Sequence, residues 1–163
     1  MRRSPILPLV AGLAVVAALA IAPTGSARRA SASVNACSLV NAAKAGKVLG
    51  YAVRLSKGET AQDCNIIATP IKIQDGHTFH PTTIVEVDPS NPRLYKQLAT
   101  GKGTHPLAGL GSRAFISYNP SINGFYIGAE VHGMLLQVSV GDATKPITHA
   151  QGITLAKLIA SRI

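Results

Sequence analysis

The pattern of hydrophobic and polar positions is clearest in the last third of the chain. The runs Ala114–Tyr118, Phe125–Val131 and Met134–Val140 are rich in β-branched and aromatic residues, and the short turn sequences NPSING and HG separate them. This pattern predicts three consecutive antiparallel strands. Thr148 follows, with Gln151 three residues later, a pair typical of the capping box that begins a helix.

The first part of the chain has a similar order, with a short helix before a hairpin. Asn41 is a suitable N-cap for a helix of about two turns that ends at Gly50. The β-branched runs Asp63–Ile73 and Thr82–Asp88 follow it, and the strong hairpin signal Asp75-Gly76 lies between them. These features predict a helix and two antiparallel strands.

A second helix is predicted to begin at Asn91 and Pro92 and to end at Gly101, where the polar loop TGKGTHP follows. The predicted order of elements is therefore α-β-β-α-β-β-β-α. Because strands joined by hairpins are antiparallel, we expect a single α+β domain with an antiparallel sheet of five to six strands and helices packed on one face. The run Tyr51–Leu55 is the candidate for the additional strand.

The first residues of the chain have the composition of an export signal. Arg2 and Arg3 precede the apolar run Ile6–Ala22, and small residues follow as far as Ala30–Ala32. We expect cleavage after this site and export of the remainder. An uncleaved membrane anchor is the alternative, since the run approaches the length of the shortest membrane-spanning helices. The predicted organisation is a signal peptide and exit region in 1–32, a short disordered tail in 33–36 and a single α+β domain in 37–163.

The interpretation of the two cysteines, Cys37 and Cys64, depends on export. Outside the cytoplasm two cysteines usually pair, and a bridge that closes a loop of about 28 residues stabilises the fold by roughly 3–4 kcal/mol. A catalytic thiol would need a neighbouring His and a lowered pKa. A lipid-modified Cys would directly follow the apolar run, whereas about fifteen residues separate Ala22 from Cys37. We therefore favour a disulfide over a free or catalytic thiol.

Charge gives limited information about the partner. The chain has 16 Lys and Arg against 7 Asp and Glu, but four of the arginines lie in residues 1–32, which leaves 12 against 7, or +5. This mild charge favours solubility or association with anionic envelope components. No basic stripe with interleaved aromatic residues indicates nucleic-acid binding. The sequence leaves three candidate partners: an anionic envelope component, a lipid and another exported protein. Membrane contact is expected only through the export signal.

The sequence contains no convincing catalytic, metal-binding or cofactor-binding motif. His77, His80 and His105 are too few and too dispersed to predict a zinc site. The segment Gly109–Arg113 lacks the spacing and the following helix of a phosphate loop, so it favours a tight turn that leads into a strand. We therefore expect no enzyme activity. The candidate binding surfaces are the open face of the sheet and the loop TGKGTHPLAGLG, whose candidate residues are Lys102, His105, Gly109, Gly111 and Arg113.

Three segments resemble a family of small exported actinobacterial domains, many of them lipoproteins of unknown function. They are CSLVNAAKAGKVLG, DCNI and LAGLGSRAF, followed by a hydrophobic hairpin and a C-terminal helix. The chain departs from that family at Asn41 and Lys44, where a capping box is usual, at Asn65, where an aromatic residue is usual, and in lacking the lipid-anchor Cys. The resemblance implies a secreted or cell-envelope location and a cysteine pair, and it implies no enzymatic activity.

These observations together favour an exported, non-enzymatic binding module at or outside the cell envelope. One alternative is a carrier that holds a lipid or another small hydrophobic ligand between sheet and helices. A hydrolase with a site in the loops is a further alternative, with less support.

Overall fold

The computed structural model describes residues 34–72, 78–79, 82–120, 124–141 and 147–163. Most of the strands in this part of the chain belong to one antiparallel sheet of seven strands. The helices are α1 (Ala36–Leu39), α2 (Ala42–Leu49), α3 (Pro92–Ala99) and α4 (His149–Ala160). The strands are β1 (Val53–Lys57), β2 (Asp63–Ala68), β3 (Ile71–Lys72), β4 (Thr78–Phe79), β5 (Thr82–Pro89), β6 (Thr104–Pro106), β7 (Arg113–Asn119), β8 (Gly124–Val131) and β9 (Met134–Gly141).

The sheet order is β1-β2-β5-β9-β8-β7-β6, and β3 and β4 form a separate two-stranded ladder. The predicted hairpin is present as the antiparallel pair β2–β5, with Cys64 opposite Val85. The predicted three-stranded meander is present as β7–β8–β9. Pairing of β5 with β9, which places Val85 opposite Val138, joins the two halves into one sheet.

One face of the sheet is covered by α1, α2 and α4. Because side chains alternate along a strand, every second residue of the central strands points toward these helices. The buried cluster between sheet and helices includes Ile66, Val85, Ile127, Leu136, Val138, Leu49, Leu155 and Ile159, each no more than 1% exposed. This cluster is the main hydrophobic core.

Helix α2 begins and ends at the residues that the sequence indicated, α3 and α4 begin at their predicted caps, and the C-cap of α3 is Thr100, one residue before the predicted Gly101. The Asn41 side chain accepts a hydrogen bond from the backbone N–H of Lys44 at 2.9 Å, and Gly50 ends α2 with φ 84°. Thr148 and Gln151 form the predicted capping box of α4. The Gln151 side chain also donates to the carbonyl oxygen of Val48 at 3.1 Å, so the start of α4 is tied to the end of α2.

The predicted disulfide is present between Cys37 and Cys64, with a Cα–Cα distance of 4.9 Å. It joins α1 to β2 in the middle of the hydrophobic core, where Cys64 is 0% exposed. Helix α1 begins at Ala36, one residue inside the segment 33–36 that was expected to be a disordered tail. The backbone N–H of Ala36 donates to the carbonyl oxygen of Ala61 at 2.9 Å.

Two features of the predicted architecture are wrong. The sheet has seven strands rather than five to six, because both the candidate run near Tyr51 and part of the predicted polar loop form edge strands, β1 and β6. The helices do not share one face, because α3 packs on the opposite side. There Tyr95 of α3 contacts Phe115 and Leu135, which alternate with residues of the main core. The observed order is α-α-β-β-β-β-β-α-β-β-β-β-α.

Several sequence predictions lie outside the described residues. They are the export signal, the turn Asp75-Gly76 and the histidines His77 and His80. Within the ranges that are described, no helix is both long enough and apolar enough to cross a membrane.

Candidate functional site

The predicted binding loop does not form one cluster of ligand-binding side chains. Lys102 lies exposed in a turn after α3, and His105 lies exposed on the edge strand β6, opposite Ile116. Gly109 and Gly111 both have positive φ, 74° and 64°, a conformation that residues with a side chain rarely adopt. A Cβ at Gly111 would overlap the backbone carbonyl of Glu130. The glycines therefore shape a turn that packs against β8, as the tight-turn interpretation predicted.

Arg113 is held by a carboxylate and an aromatic ring. Its Nη2 and Nε lie 2.7 and 2.8 Å from Oε2 of Glu130, and its guanidinium lies 4.5 Å from the centre of the Tyr95 ring. Ser90 Oγ donates to the other carboxylate oxygen at 2.8 Å. The hydrogen bonds from Arg113 and Ser90 lower the pKa of Glu130 below its usual value. Arg113 thus links β7, β8 and α3 and is part of the fold.

Metal binding by the described residues has no structural support. In these ranges no three side chains of His, Cys, Asp or Glu are grouped in a way that could hold a metal ion.

The face opposite the main core is only half covered. Helix α3 packs over β6, β7 and β8, and its Tyr95 reaches Leu135 at the start of β9. Beyond Leu135, the region from the rest of β9 to β1 has no helix above it in the described part of the chain. Ile84 of β5 points to this uncovered region and is 40% exposed, although large aliphatic residues are normally buried. Tyr118 is also exposed, but its register with Phe125 places it on the other face.

A row of side chains crosses four strands, from β7 beside the end of α3 to β5 in the uncovered region. Register places Ser117 opposite Tyr126, Tyr126 opposite Ser139, and Ser139 opposite Ile84. Strands are about 4.8 Å apart, so the row from Ser117 to Ile84 is about 14 Å long. Two adjoining depressions of about 400 and 210 Å³ lie along it and share Tyr126, Gln137 and Ser139. We call this continuous depression the face groove. The end of α3, at Leu98, forms part of its wall.

A hydrogen-bonded chain fixes the polar side of the face groove. The Tyr126 hydroxyl donates to Oε1 of Gln137, and Gln137 Nε2 donates to Oε2 of Glu86 at 3.0 Å. Gln137 is 8% exposed, so the chain satisfies a nearly buried amide. Burial, and then the charges of Glu86 and Asp88, raise the pKa of Tyr126 well above its usual value. Tyr126 therefore stays a neutral hydroxyl.

Three carboxylates meet at the Glu86 end of the face groove. Asp63 lies opposite Glu86 on β2, and Asp88 lies two residues beyond Glu86 on the same side of β5. Burial raises the pKa of Glu86, and the charges of Asp63 and Asp88 raise it further. Burial and the charge of Asp63 also raise the pKa of Asp88. Among the described residues, no Lys, Arg or His forms an ion pair with Glu86 or Asp88.

Part of this site follows from the alternation of side chains along a strand, which places Glu86 on the face away from the main core. Glu130 is on the same face but is only 9% exposed, because Arg113 lies against it. The row containing Tyr126, Ser139 and Ile84 was missed, because strand register joins residues that are distant in sequence.

Comparison of the chain with protein-family models, with curated proteins and with solved structures found no match. The fold and the site define an α+β domain with one face of its sheet closed by three helices, of which α1 is joined to the sheet by a disulfide, and the other face half open.

Proposed function

We propose that the chain is an exported, non-enzymatic binding module whose binding surface is the half-open face of the sheet. The observation that carries this proposal is the exposed side chain of Ile84 at one end of the face groove. A sheet face that only meets water usually presents polar residues. Ile84 lies in a depression that also contains the Tyr126 ring and a few polar groups, and concave surfaces of this mixed lining are typical of binding sites.

The packing of the main core favours surface binding over the carrier alternative. Core side chains such as Ile127, Leu136 and Leu155 are no more than 1% exposed. The depression found among α1, α2 and α4 holds only about 40 Å³. A drug-sized ligand occupies at least about 300 Å³. Among the described residues, a depression of about 450 Å³ also lies between α2 and the edge strand β1, but it is wide open to solvent and does not enclose a ligand. A lipid enclosed among α1, α2 and α4 would therefore require these helices to move apart.

The hydrolase alternative gains no support from the geometry of its loop residues. The hydroxyl of Ser112 donates to the carbonyl oxygen of Glu130 at 3.2 Å, and its backbone N–H donates to the same oxygen at 2.8 Å. These contacts close the turn before β7. His105 lies on the edge strand β6 and makes no hydrogen bond to Ser112.

Export is supported by the disulfide, since such bonds persist in oxidising compartments. The resemblance to small exported actinobacterial domains supports the same location. Intact mass of the protein from its producing host tests this part of the proposal. We expect a mass that begins near Ser33, with no thiol labelled until the protein is reduced. A full-length mass or an added lipid mass would overturn secretion of a cleaved, unlipidated form.

Site-specific photo-crosslinking tests the binding surface. We would place p-benzoyl-phenylalanine at position 84 of the full chain in the producing host, and at position 154 as the control. Thr154 is exposed on α4, on the opposite side of the sheet. We expect a discrete adduct from position 84 that is absent from position 154. Equal adducts from both positions, or none from position 84, would overturn the proposed surface.

A further inference from the structure

The chemistry of the face groove changes along its length. At one end are the apolar surfaces of Leu98 and the Tyr126 ring, and Ser139 and Gln137 provide polar groups in the middle. At the other end, the apolar side chain of Ile84 lies next to the carboxylate of Glu86. A ligand that fills this groove must therefore match apolar groups and a negative charge a few ångströms apart.

In the part of the chain that the structure describes, no Lys, Arg or His side chain pairs with the negative charge of Glu86 and Asp88 at this end. Three of the chain's 7 acidic residues, Asp63, Glu86 and Asp88, lie together there, although the chain as a whole has a net charge of +9. Asp63 is used within the fold, because its Oδ2 accepts from Thr60 Oγ1 at 2.7 Å. Glu86 receives one hydrogen bond, from Gln137 to Oε2. An incoming cation would relieve the repulsion among these carboxylates.

The length of the groove favours an extended chain over a compact ligand. The row from Ser117 to Ile84 is about 14 Å long, and an extended peptide rises about 3.3 Å per residue. About four residues therefore fit along it. The alternation of apolar surfaces with a hydroxyl and an amide suits a peptide, which presents side chains and backbone polar groups in turn.

We propose that the face groove binds an extended basic segment of a partner protein, with a Lys or Arg side chain at Glu86 and Asp88 and an apolar side chain against Ile84 and Tyr126. This inference rests on the proposed function, since it names the partner of the same surface. It adds a charge requirement that the proposed function by itself does not contain.

Selection from a phage-displayed library of random hexapeptides tests the inference. The target is the full chain, purified with its disulfide intact. We would compare wild type with three variants: the charge-neutralising double variant Glu86→Gln/Asp88→Asn, the apolar-surface variant Ile84→Thr and the control Glu59→Gln. Glu59 is exposed in the β1–β2 turn and does not line the groove, so its variant makes the same carboxylate-to-amide change elsewhere. The Thr variant keeps the β-branch that strands favour.

We expect the enriched peptides to contain Lys or Arg within four residues of an apolar side chain. Synthetic copies, measured by fluorescence anisotropy, should bind the double variant roughly 2- to 30-fold more weakly than wild type, as expected for the loss of one or two partly exposed ion pairs. The Glu59→Gln control should bind as wild type does. Affinity should also fall as salt concentration rises.

The failures of the two proposals can be distinguished. Peptides that need Ile84 but carry no basic residue, or that bind the double variant as tightly as wild type, would overturn the basic-segment proposal and leave the groove as a binding surface. Peptide binding that is insensitive to Ile84→Thr would overturn both. A selection that enriches no peptide would overturn the basic-segment proposal, and crosslinking from position 84 then decides whether the surface binds another class of partner.

Discussion

Removal of the disulfide should destabilise the domain more than any single exposed substitution. The perturbation is Cys37→Ala together with Cys64→Ala. The bridge joins residues 27 apart in sequence, and the chain-entropy model for a loop of this size gives about 3.5 kcal/mol at 25 °C. Cys64 is 0% exposed within the main core, so its loss also leaves a small void that costs about 1 kcal/mol. The expected total is about 4–5 kcal/mol.

This loss is large because domains of this size are stable by only about 5–15 kcal/mol. It should also be uneven across the molecule. Helix α1 has four residues and is too short to be stable alone, so its position depends on the disulfide and on packing against β1, β2 and β5. Amide hydrogen exchange should therefore accelerate first in α1 and in the adjoining α2.

The assay is urea denaturation of oxidised wild type, reduced wild type and the double-alanine variant. Reduced wild type is the matched control, because it loses the cross-link and keeps both sulfur atoms. We expect about 3.5 kcal/mol between oxidised and reduced protein, with the remainder between reduced protein and the double variant. A loss below about 1 kcal/mol in both comparisons would refute the reasoning, because it would mean that the denatured chain already holds these two positions close together.

Three further predictions concern the packing and charges of the sheet. Gly152→Ala should lower the stability by about 1–2 kcal/mol, because the added Cβ would overlap the buried Phe125 ring. This overpacking outweighs the roughly 1 kcal/mol that Ala gains over Gly in helix propensity. An unchanged or higher Tm would contradict this. Glu130→Gln should lower the stability at pH 7 and lower it progressively less as pH falls below 4.5. The reason is that Arg113 lowers the pKa of Glu130, so the stabilisation by the charged carboxylate is lost when Glu130 is protonated. Urea midpoints at pH 7 and pH 3 check this, and a difference between variant and wild type that is the same at both pH values would contradict it. Glu86→Gln should show the opposite pH dependence, because the raised pKa of Glu86 means that wild type loses stability as pH rises above 4.5. The stability of the variant relative to wild type should therefore increase between pH 3 and pH 7. A relative stability that decreases over this range in the same urea series would contradict the prediction.

The elements that the sequence predicted correctly are those that depend on local signals. The Asn41 cap, the Gly50 end of α2 and the capping box of Thr148 and Gln151 each involve residues within a few positions of each other. The meander is similarly local, because short turns join its strands. The disulfide is less local, but only one intramolecular pairing is possible with two cysteines.

The elements that the sequence did not predict depend on contacts between distant residues. Strand β6 is only three residues long, and it is a strand because it pairs with β7; its own residues, Thr104–Pro106, resemble a polar loop. The amphipathic pattern of α3 predicts that one side is buried, but it does not specify which face of the sheet receives that side. Packing of Tyr95 against Phe115 and Leu135 decides this in the folded protein.

The two faces of the sheet differ in burial because the helices that pack on them differ in number and length. Seven strands about 4.8 Å apart make a sheet about 29 Å wide. On the core side three helices share this width; the disulfide joins α1 to β2, and Gln151 joins α4 to α2.

On the other side α3 has eight residues and is about 12 Å long, so it shields only the part of the sheet near β6, β7 and β8. Among the described residues no helix covers the remaining width, and the residues aligned there are mostly small or polar, such as Ser56, Asn65 and Ser139. Ile84 is the exception in this row. Its exposure does nothing for the core, whereas its place next to Glu86 would serve a ligand that carries apolar and cationic groups together. This contrast is the strongest reason to search for the partner at the half-open face.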